Sequence, residues 1–453
     1  MKKNMIASIV AVTAMTSSAA FAADVYGPYP VTLKGYDGDK TNSVSYSGQI
    51  GRQLLHNSLK KAIGKNASLD VLNSYFNGSD GTLALLDPKS SDAFKVDVTD
   101  INTVSKTNLS GKAYKGIIDG WPGNMSGKGV LESMIVQGAA ADKGYDPAHG
   151  YDYAQLVSKF TMGAVFYHQA CDNYLDEKLE ADNKPNDKPY KKGKHYTGKE
   201  HSWDEGFGYW GAAAHGATLS AKQNYNITKK KDMVSADANG DGVVNLKSEM
   251  NYAHAYYASS FDKGGKTDYY NTITKAFIDG REMIANANGE ALSDSERSAL
   301  KGKARVICSN WERVIAEAVF KYAGSVYSDL EKLKAAPGDA KLFRKYVKHW
   351  GELKGFALSL HASGQNLGQL GSDMDALIGF GPVLMNGTQV NGVDGSGAFT
   401  MGAANVDDYM VNMLKVQNMM AEDFGVMAKN NDKLAGIANL SEKLGLSESA
   451  END

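Results

Sequence analysis

From Gln49 to Gly64 the apolar residues Ile50, Leu54, Leu55, Leu59 and Ile63 recur at steps of three and four, with polar residues between them. That spacing places one apolar stripe along a helix and turns it to a core. The same rule predicts helices over 69–76, 129–141, 151–180, 246–261, 267–286, 293–335, 340–364 and 406–427. The stretch 151–180, with Leu156, Phe160, Ala164, Tyr167, Cys171 and Tyr174 in register, would make a rod about 45 Å long at 1.5 Å per residue. The pattern over 293–335 starts at Ser293 or Asp294 with Glu296 close behind and stops at Pro337-Gly338, and its length predicts a bend or break near Gly302. The last helix carries Tyr409, Met413, Leu414, Met420 and Phe424, and its thioethers are read as core filler. Period-two alternation is sparse, and the Gly-rich segment 379–402 is read as loop. The fold class is therefore all-α, with helical bundles in two packed subdomains and a calcium-binding loop insertion.

Organisation along the chain follows. Lys2 and Lys3, an apolar run from Met5 to Ala14, and Ala20-Phe21-Ala22 make residues 1–22 a signal peptide. No Cys follows the cut, which argues against a lipid anchor. Residues 23–48 form an extended lead-in, 49–235 a first helical region, 236–262 the calcium loop with its exiting helix, 263–430 a second helical region, and 431–453 a tail. The basic, Pro-containing segment 182–199 is a solvated excursion. A mature chain of roughly 430 residues exceeds the size at which one core usually stops growing, which favours two subdomains. No later stretch is apolar for long enough to span a bilayer, so a periplasmic or secreted protein is expected.

Charge and cysteines add bounds. The chain has 49 basic and 52 acidic residues, a formal net charge of -3, which argues against nucleic acid or an anionic membrane as the main partner. Cys171 and Cys308 are the only cysteines. An oxidising compartment permits them to pair, and unpaired each would be an ordinary buried small residue.

Two patterns carry candidate chemistry. The first is Asp237-Ala238-Asn239-Gly240-Asp241-Gly242-Val243-Val244-Asn245. Oxygen-bearing side chains stand at loop positions one, three, five and nine, Gly at six and an aliphatic at eight, the first three-quarters of an EF-hand loop. A hard cation needs six to eight oxygens on a tight turn that Gly makes without strain. Asp237, Asn239, Asp241, the Val243 carbonyl and Asn245 are the expected calcium ligands. Ser248 occupies position twelve and Glu249 comes one place late, so a helix starting at Leu246 is needed to swing Glu249 towards the ion. The alternative is an Asp/Asn/Gly turn that binds nothing.

The second pattern is a His with an acid about one helical turn later: His168 with Asp172, His201 with Asp204 or Glu205, and His349 with Glu352. Three- and four-residue spacings put both groups on one face, where they can share an ion. His201, Asp204, Glu205, His349 and Glu352 are the candidate ligands of a second metal, iron or zinc. The competing reading is helix pairs satisfied by hydrogen bonds. His215 lies fourteen residues beyond His201, about 21 Å on a straight helix, too far for the same ion. No P-loop, Gly-x-Ser-x-Gly or His-Glu-x-x-His motif is present.

Val44-Ser45-Tyr46-Ser47-Gly48-Gln49 with Arg52, together with His201-Ser202-Trp203-Asp204-Glu205-Gly206-Phe207-Gly208-Tyr209-Trp210-Gly211, resembles the bacterial family called domain of unknown function 4856, over most of the mature chain. That resemblance implies a secreted protein and no particular activity. A remoter similarity is to imelysin-like helical proteins, whose signature is Gly-x-His-x-x-Glu. Val347-Lys348-His349-Trp350-Gly351-Glu352 keeps the His and Glu with Val in the Gly place. Lys199-Glu200-His201-Ser202-Trp203-Asp204 lacks the Gly and ends in Asp. The similarity implies iron handling or, for some members, peptidase activity. Three functions are thus expected in order: a binding protein for a metal or small ligand, a calcium-stabilised structural or surface protein, and a metallopeptidase using Asp204 or Glu205 as general base.

Overall fold

A computed structural model describes residues 24–362, 367–437 and 439–445. The signal-peptide segment 1–22 lies outside the described residues, as does part of the 431–453 tail. The protein is mostly helical, with two small two-stranded sheets among the described residues. The helices are α1 (Ser47–Ile63), α2 (Leu69–Asn77), α3 (Gly127–Ala140), α4 (Tyr153–Thr161), α5 (Gly198–Trp210), α6 (Ala221–Thr228), α7 (Met233–Ala236), α8 (Ala253–Asp262), α9 (Tyr269–Asn286), α10 (Asp294–Ala335), α11 (Ala340–His361), α12 (Gly368–Ile378), α13 (Val406–Asp423) and α14 (Leu440–Leu444).

Helix α10 is the organising rod. It packs against α9, α11 and α13, while α11 packs on α4, and α5 lies against α1, α9 and the segment after α4. Buried apolar residues from Tyr26 to Ala428 join in one contiguous cluster. Ser293 and Glu296 close a reciprocal N-terminal cap on α10, Glu296 N–H to Ser293 Oγ at 3.3 Å and Ser293 N–H to Glu296 Oε2 at 2.8 Å. The helix runs unbroken for 42 residues, so the expected break at Gly302 is absent. One mid-helix Gly costs about 1 kcal/mol, less than the packing on three neighbouring helices returns.

Three other expectations are corrected. The rod over 151–180 changes pitch: α4 gives way to a π-helix over Met162–Tyr174 and then a 3₁₀ turn at Glu177–Leu179. At the change, Ser359 Oγ stands 2.9 Å from the Lys159 carbonyl, and a Cβ on Gly163 would lie 2.2 Å from Ser359 Cβ. A hydroxyl on the carbonyl that an α-helix would give to Gly163 favours the wider ladder. The helix expected from Leu246 starts only at Ala253, because the Tyr252 N–H donates to the Gly211 carbonyl at 2.7 Å instead of entering a ladder.

The segment 379–402 is not plain loop. It holds β3 (Thr388–Val393) paired antiparallel with β4 (Phe399–Ala403), and the other sheet pairs β1 (Tyr145–Asp146) with β2 (Tyr151–Asp152). Asp394 closes the β3–β4 turn, its Oδ1 accepting from Ser396 N–H at 2.8 Å and Ala398 N–H at 3.0 Å. Cys171 and Cys308 form a disulfide that ties the π-helix to α10.

Candidate functional site

Helix α5 is the signature helix, and nearly every residue on it is buried. Thr197 and Glu200 form its capping box, with Glu200 N–H on Thr197 Oγ1 at 3.1 Å and Thr197 N–H on Glu200 Oε2 at 2.8 Å. Gly211 ends it in the left-handed region at φ +78°, where only Gly is unstrained. His215 therefore sits beyond the helix, with Nε2 at 2.8 Å from the Ser235 carbonyl. Gly208 permits the approach of α1: a Cβ there would meet Gln49 Cβ at 2.7 Å and Tyr46 Cβ at 2.9 Å.

Two pairs spaced by four residues leave α5 in different directions. Glu200 and Asp204 point inward to Arg281 of α9. Arg281 Nε donates to Asp204 Oδ1 at 2.9 Å, its Nη1 lies 3.4 Å from Glu200 Oε1, its Nη2 donates to Ser43 Oγ at 2.6 Å, and all three side chains are fully buried. The lead-in completes the network: Tyr26 OH donates to Asp204 Oδ1 at 2.7 Å, Ser45 N–H to Asp204 Oδ2 at 2.9 Å, and Thr32 Oγ1 to Glu200 Oε1 at 3.0 Å. Burial pushes the Asp204 pKa up against the pull of Arg281. Burial works to lower the Arg281 pKa, but the Asp204 and Glu200 carboxylates outweigh it and hold the guanidinium charged. Asp204 is thus committed to an internal ion pair rather than to His201.

His201 and Glu205 leave sideways. His201 Nε2 is 3.7 Å from Glu205 Oε1, which also accepts from Gln49 Nε2 at 2.8 Å. Glu205 Oε2 is buried without a hydrogen bond. The His201 ring stacks on Tyr196 with centroids 4.6 Å apart and meets Tyr190 edge-on at 4.2 Å. Beside them Lys178 Nζ lies 3.6 Å from the Tyr174 ring centroid, and Lys112 Nζ is 3.4 Å from Tyr174 OH. Burial lowers the His201 pKa against the opposing pull of Glu205, and burial brings Lys178 down to about 8. The result is a mostly buried polar cluster bordered by tyrosines, with one carboxylate oxygen unspent.

The other pairs lie apart. His349 Nδ1 is 2.6 Å from Asp329 Oδ2, and Lys345 Nζ is 3.4 Å from Asp329 Oδ1, so the acid beside His349 comes from α10. Glu352 is buried on the inner side of α11. His168 Nδ1 is 3.2 Å from Asp172 Oδ2 on the π-helix. Among the described residues no group of three or more His, Cys, Asp or Glu is placed to share an ion.

The loop from Asp237 folds tightly around its first side chain. Asp237 Oδ1 accepts from the N–H of Gly240 at 2.9 Å and of Asp241 at 3.1 Å, and Oδ2 from Gly242 N–H at 2.7 Å. Asn239 Oδ1 accepts from Asp241 N–H, and Asp241 Oδ1 from Val243 N–H, both at 2.9 Å. Gly240 and Gly242 take left-handed φ of +75° and +85°. Buried Val244 forms an isolated bridge to Val96, with Val244 N–H donating to the Lys95 carbonyl at 2.9 Å. Glu249 spans the loop, accepting from Ala238 N–H at 3.2 Å and Asn245 N–H at 2.7 Å. Past the loop, Ala214 N–H donates to the Ser248 carbonyl at 2.7 Å and Ala213 N–H to Asn251 Oδ1 at 2.8 Å. The loop exit therefore clamps the chain just after α5.

Arg281 and Asp329 had a readable signal. Arg281 lies eight residues after Ile273 and four after Phe277 on the buried stripe of α9, and Asp329 falls four residues before Leu333 and three after Val326 on that of α10. A lone charge on an apolar stripe demands a partner.

These observations define a class: a largely helical protein with one disulfide, in which a polar-cored signature helix is held by the lead-in segment and by a Gly-rich acidic loop. Among the described residues no helix is long and apolar enough to cross a membrane. The family model described as domain of unknown function (DUF4856) matches residues 35–295, more than half of the 453 residues, and the chain belongs to that family. No curated protein and no solved structure matches it. Both resemblance motifs meet in space, through Ser45 on Asp204 and Gln49 on Glu205.

Proposed function

We propose that this is an extracytoplasmic binding protein that carries one calcium ion in the loop 237–249 and takes a small polar ligand at the His201–Glu205 cluster. The observation that carries the calcium reading is the Asp237 carboxylate collecting three successive amides, the tight turn that an EF-hand loop makes, and in this reading Asn239, Asp241, the Val243 carbonyl, Asn245 and Glu249 supply the remaining oxygens. The ion has a structural role in this reading, because the loop exit bonds Ala213 and Ala214 behind the signature helix. The disulfide supports an oxidising compartment. At this cluster, the unspent Glu205 oxygen and the bordering tyrosines support a small ligand over iron or zinc, for which only His201 and Glu205 converge.

Titration calorimetry and melting of chelator-treated protein test the first part. Calcium should bind at about one per chain, and at a hundredfold excess over Kd should add about 2.7 kcal/mol of stability. Asp237→Ala with Asp241→Ala should abolish both effects. Absence of calcium uptake by the wild-type chain ends the calcium reading. Zinc or ferrous iron binding that His201→Ala removes would replace the small-ligand reading with a transition-metal site.

A further inference from the structure

A basic cleft lies between α1, α4, α8 and α11, away from the His201–Glu205 cluster. It has two adjoining chambers of about 510 and 270 Å³ that share Asn57, Lys60 and Asp87 as walls. Lys61, Lys65, Lys143, Arg344 and Lys348 line the larger chamber, and Lys159, Lys229 and Lys230 the smaller one. The acids on these walls are already spent: Asp87 pairs with Lys230 at 2.5 Å and Asp152 with Arg344 at 2.8 Å. In a chain with net charge -3, this is a strong local excess of positive charge.

The most buried of these lysines is Lys159, only 3% exposed. Its Nζ lies 5.3 Å from the Tyr257 ring centroid and 6.0 Å from that of Phe356, its side-chain hydrogen-bond neighbour is Lys60, and among the described residues no carboxylate stands within ion-pair distance of it. Of the charged groups that act on it, Lys60 and Lys348 are of like sign and Glu352 is the acid. A buried ammonium without a counter-ion is costly and calls for one.

From this arrangement we infer that the cleft binds a compact oxyanion of the phosphate class, seated on Lys159 at the floor and on Lys60 and Lys229 at the walls. His56 does not act as a base on the adjacent Ser158. Its Nε2 is 2.9 Å from the Ser158 carbonyl, which only accepts, so Nε2 carries the proton and no Ser–His nucleophile is formed. The site is for binding. Burial holds the Lys159 pKa well below the ordinary lysine value, and an anion seated on Nζ draws it back up, so binding is accompanied by net proton uptake.

The test is calorimetry at low ionic strength on the full mature protein, in two buffers of different ionisation enthalpy, with inorganic phosphate and with a phosphorylated sugar as separate arms and sulfate as control. Saturable binding of either phosphate probe with proton uptake is expected; the tighter arm tells whether free phosphate or a phosphoryl group on a small molecule is the ligand. Lys159→Met should keep or raise the melting temperature, because it removes a buried amine that has no carboxylate partner, while weakening binding at least tenfold. Lys60→Gln, on the wall, should weaken it three- to tenfold. No binding in either arm, binding unchanged by Lys159→Met, or phosphate and sulfate binding equally with no proton uptake would overturn the inference.

Discussion

Replacing Arg281 with Met keeps the aliphatic stem and removes the guanidinium, leaving Asp204 and Glu200 together in a fully buried site. Tyr26, Ser45, Thr32 and Ser43 still donate hydrogen bonds, but no cation remains. Breaking a buried pair by removing one partner costs about 3–5 kcal/mol. The cost depends on pH with a definite sign. Burial already raises the Asp204 pKa, and without Arg281 it rises further, so the folded variant binds protons that the unfolded chain releases. Stability of Arg281→Met relative to wild type therefore falls as pH rises above the unfolded carboxylate value near 3.9 and through the folded one. Urea titrations of both proteins at pH 5 and pH 8 measure this directly. The deficit should be several kcal/mol at pH 8 and smaller at pH 5. A variant within 1 kcal/mol of wild type at pH 8 would refute the assignment of Arg281 as the hub, and would free Asp204 for ligand chemistry.

Further outcomes follow from the same packing. Gly208→Ala should cost about 1–3 kcal/mol in a melt, because its Cβ meets Gln49 and Tyr46 Cβ at 2.7 and 2.9 Å and overpacking outweighs the helix propensity gained. Reduction of the Cys171–Cys308 bond, which closes a 137-residue separation, should lower stability by about 5 kcal/mol on the chain-entropy estimate, read as a reductant-dependent shift in the urea midpoint. His56 and His254 are buried and each brought down to about 3 by burial. Between about pH 6.5 and 3 the unfolded chain thus binds more protons at these rings than the folded one, and stability should fall with falling pH by about 1.4 kcal/mol per unit for each ring. His254→Phe, in a site bounded by Trp311 and Phe356, should flatten that acid limb by about one proton in a pH series of urea titrations; an unchanged slope would sink the assignment.

The helices were legible because their apolar stripes are: Ile50, Leu54 and Ile63 on α1 are all buried, and Ser293 with Glu296 marked the start of α10. The places where local pattern failed are those where a distant group took over a backbone bond. Ser359 reaches the Lys159 carbonyl where the α-helix gives way to π, and Gly211 takes the Tyr252 N–H that a helix from Leu246 would have used. The β3–β4 hairpin was hidden by Asn and Gly within strands of which only Val390 is buried, although Asp394-Gly395-Ser396-Gly397 carries turn chemistry. The crowding of acids and aromatics at residues 201–211 marked a helix that is almost wholly buried. It did not tell the inward carboxylate from the sideways one, since that depends on Arg281, about seventy residues later in the chain.

That distinction is open to a paired substitution. Asp204 and Glu205 are neighbours about 100° apart on α5, so one faces Arg281 and the other faces Gln49 and His201. Glu205→Gln preserves the acceptor for Gln49 and removes a charge that makes no ion pair with Lys or Arg. The expected loss is under 1 kcal/mol. Asp204→Asn removes the main counter-charge of a fully buried guanidinium and puts an amide against the donors Tyr26 and Ser45, for an expected loss of about 2–4 kcal/mol. A small-ligand site at the His201–Glu205 cluster requires this asymmetry, because a ligand needs a carboxylate that folding does not consume. Equal destabilisation by the two substitutions would make Glu205 another structural acid and remove that cluster from consideration, whereas a stable Glu205→Gln protein gives the inactive control against which ligand binding is measured.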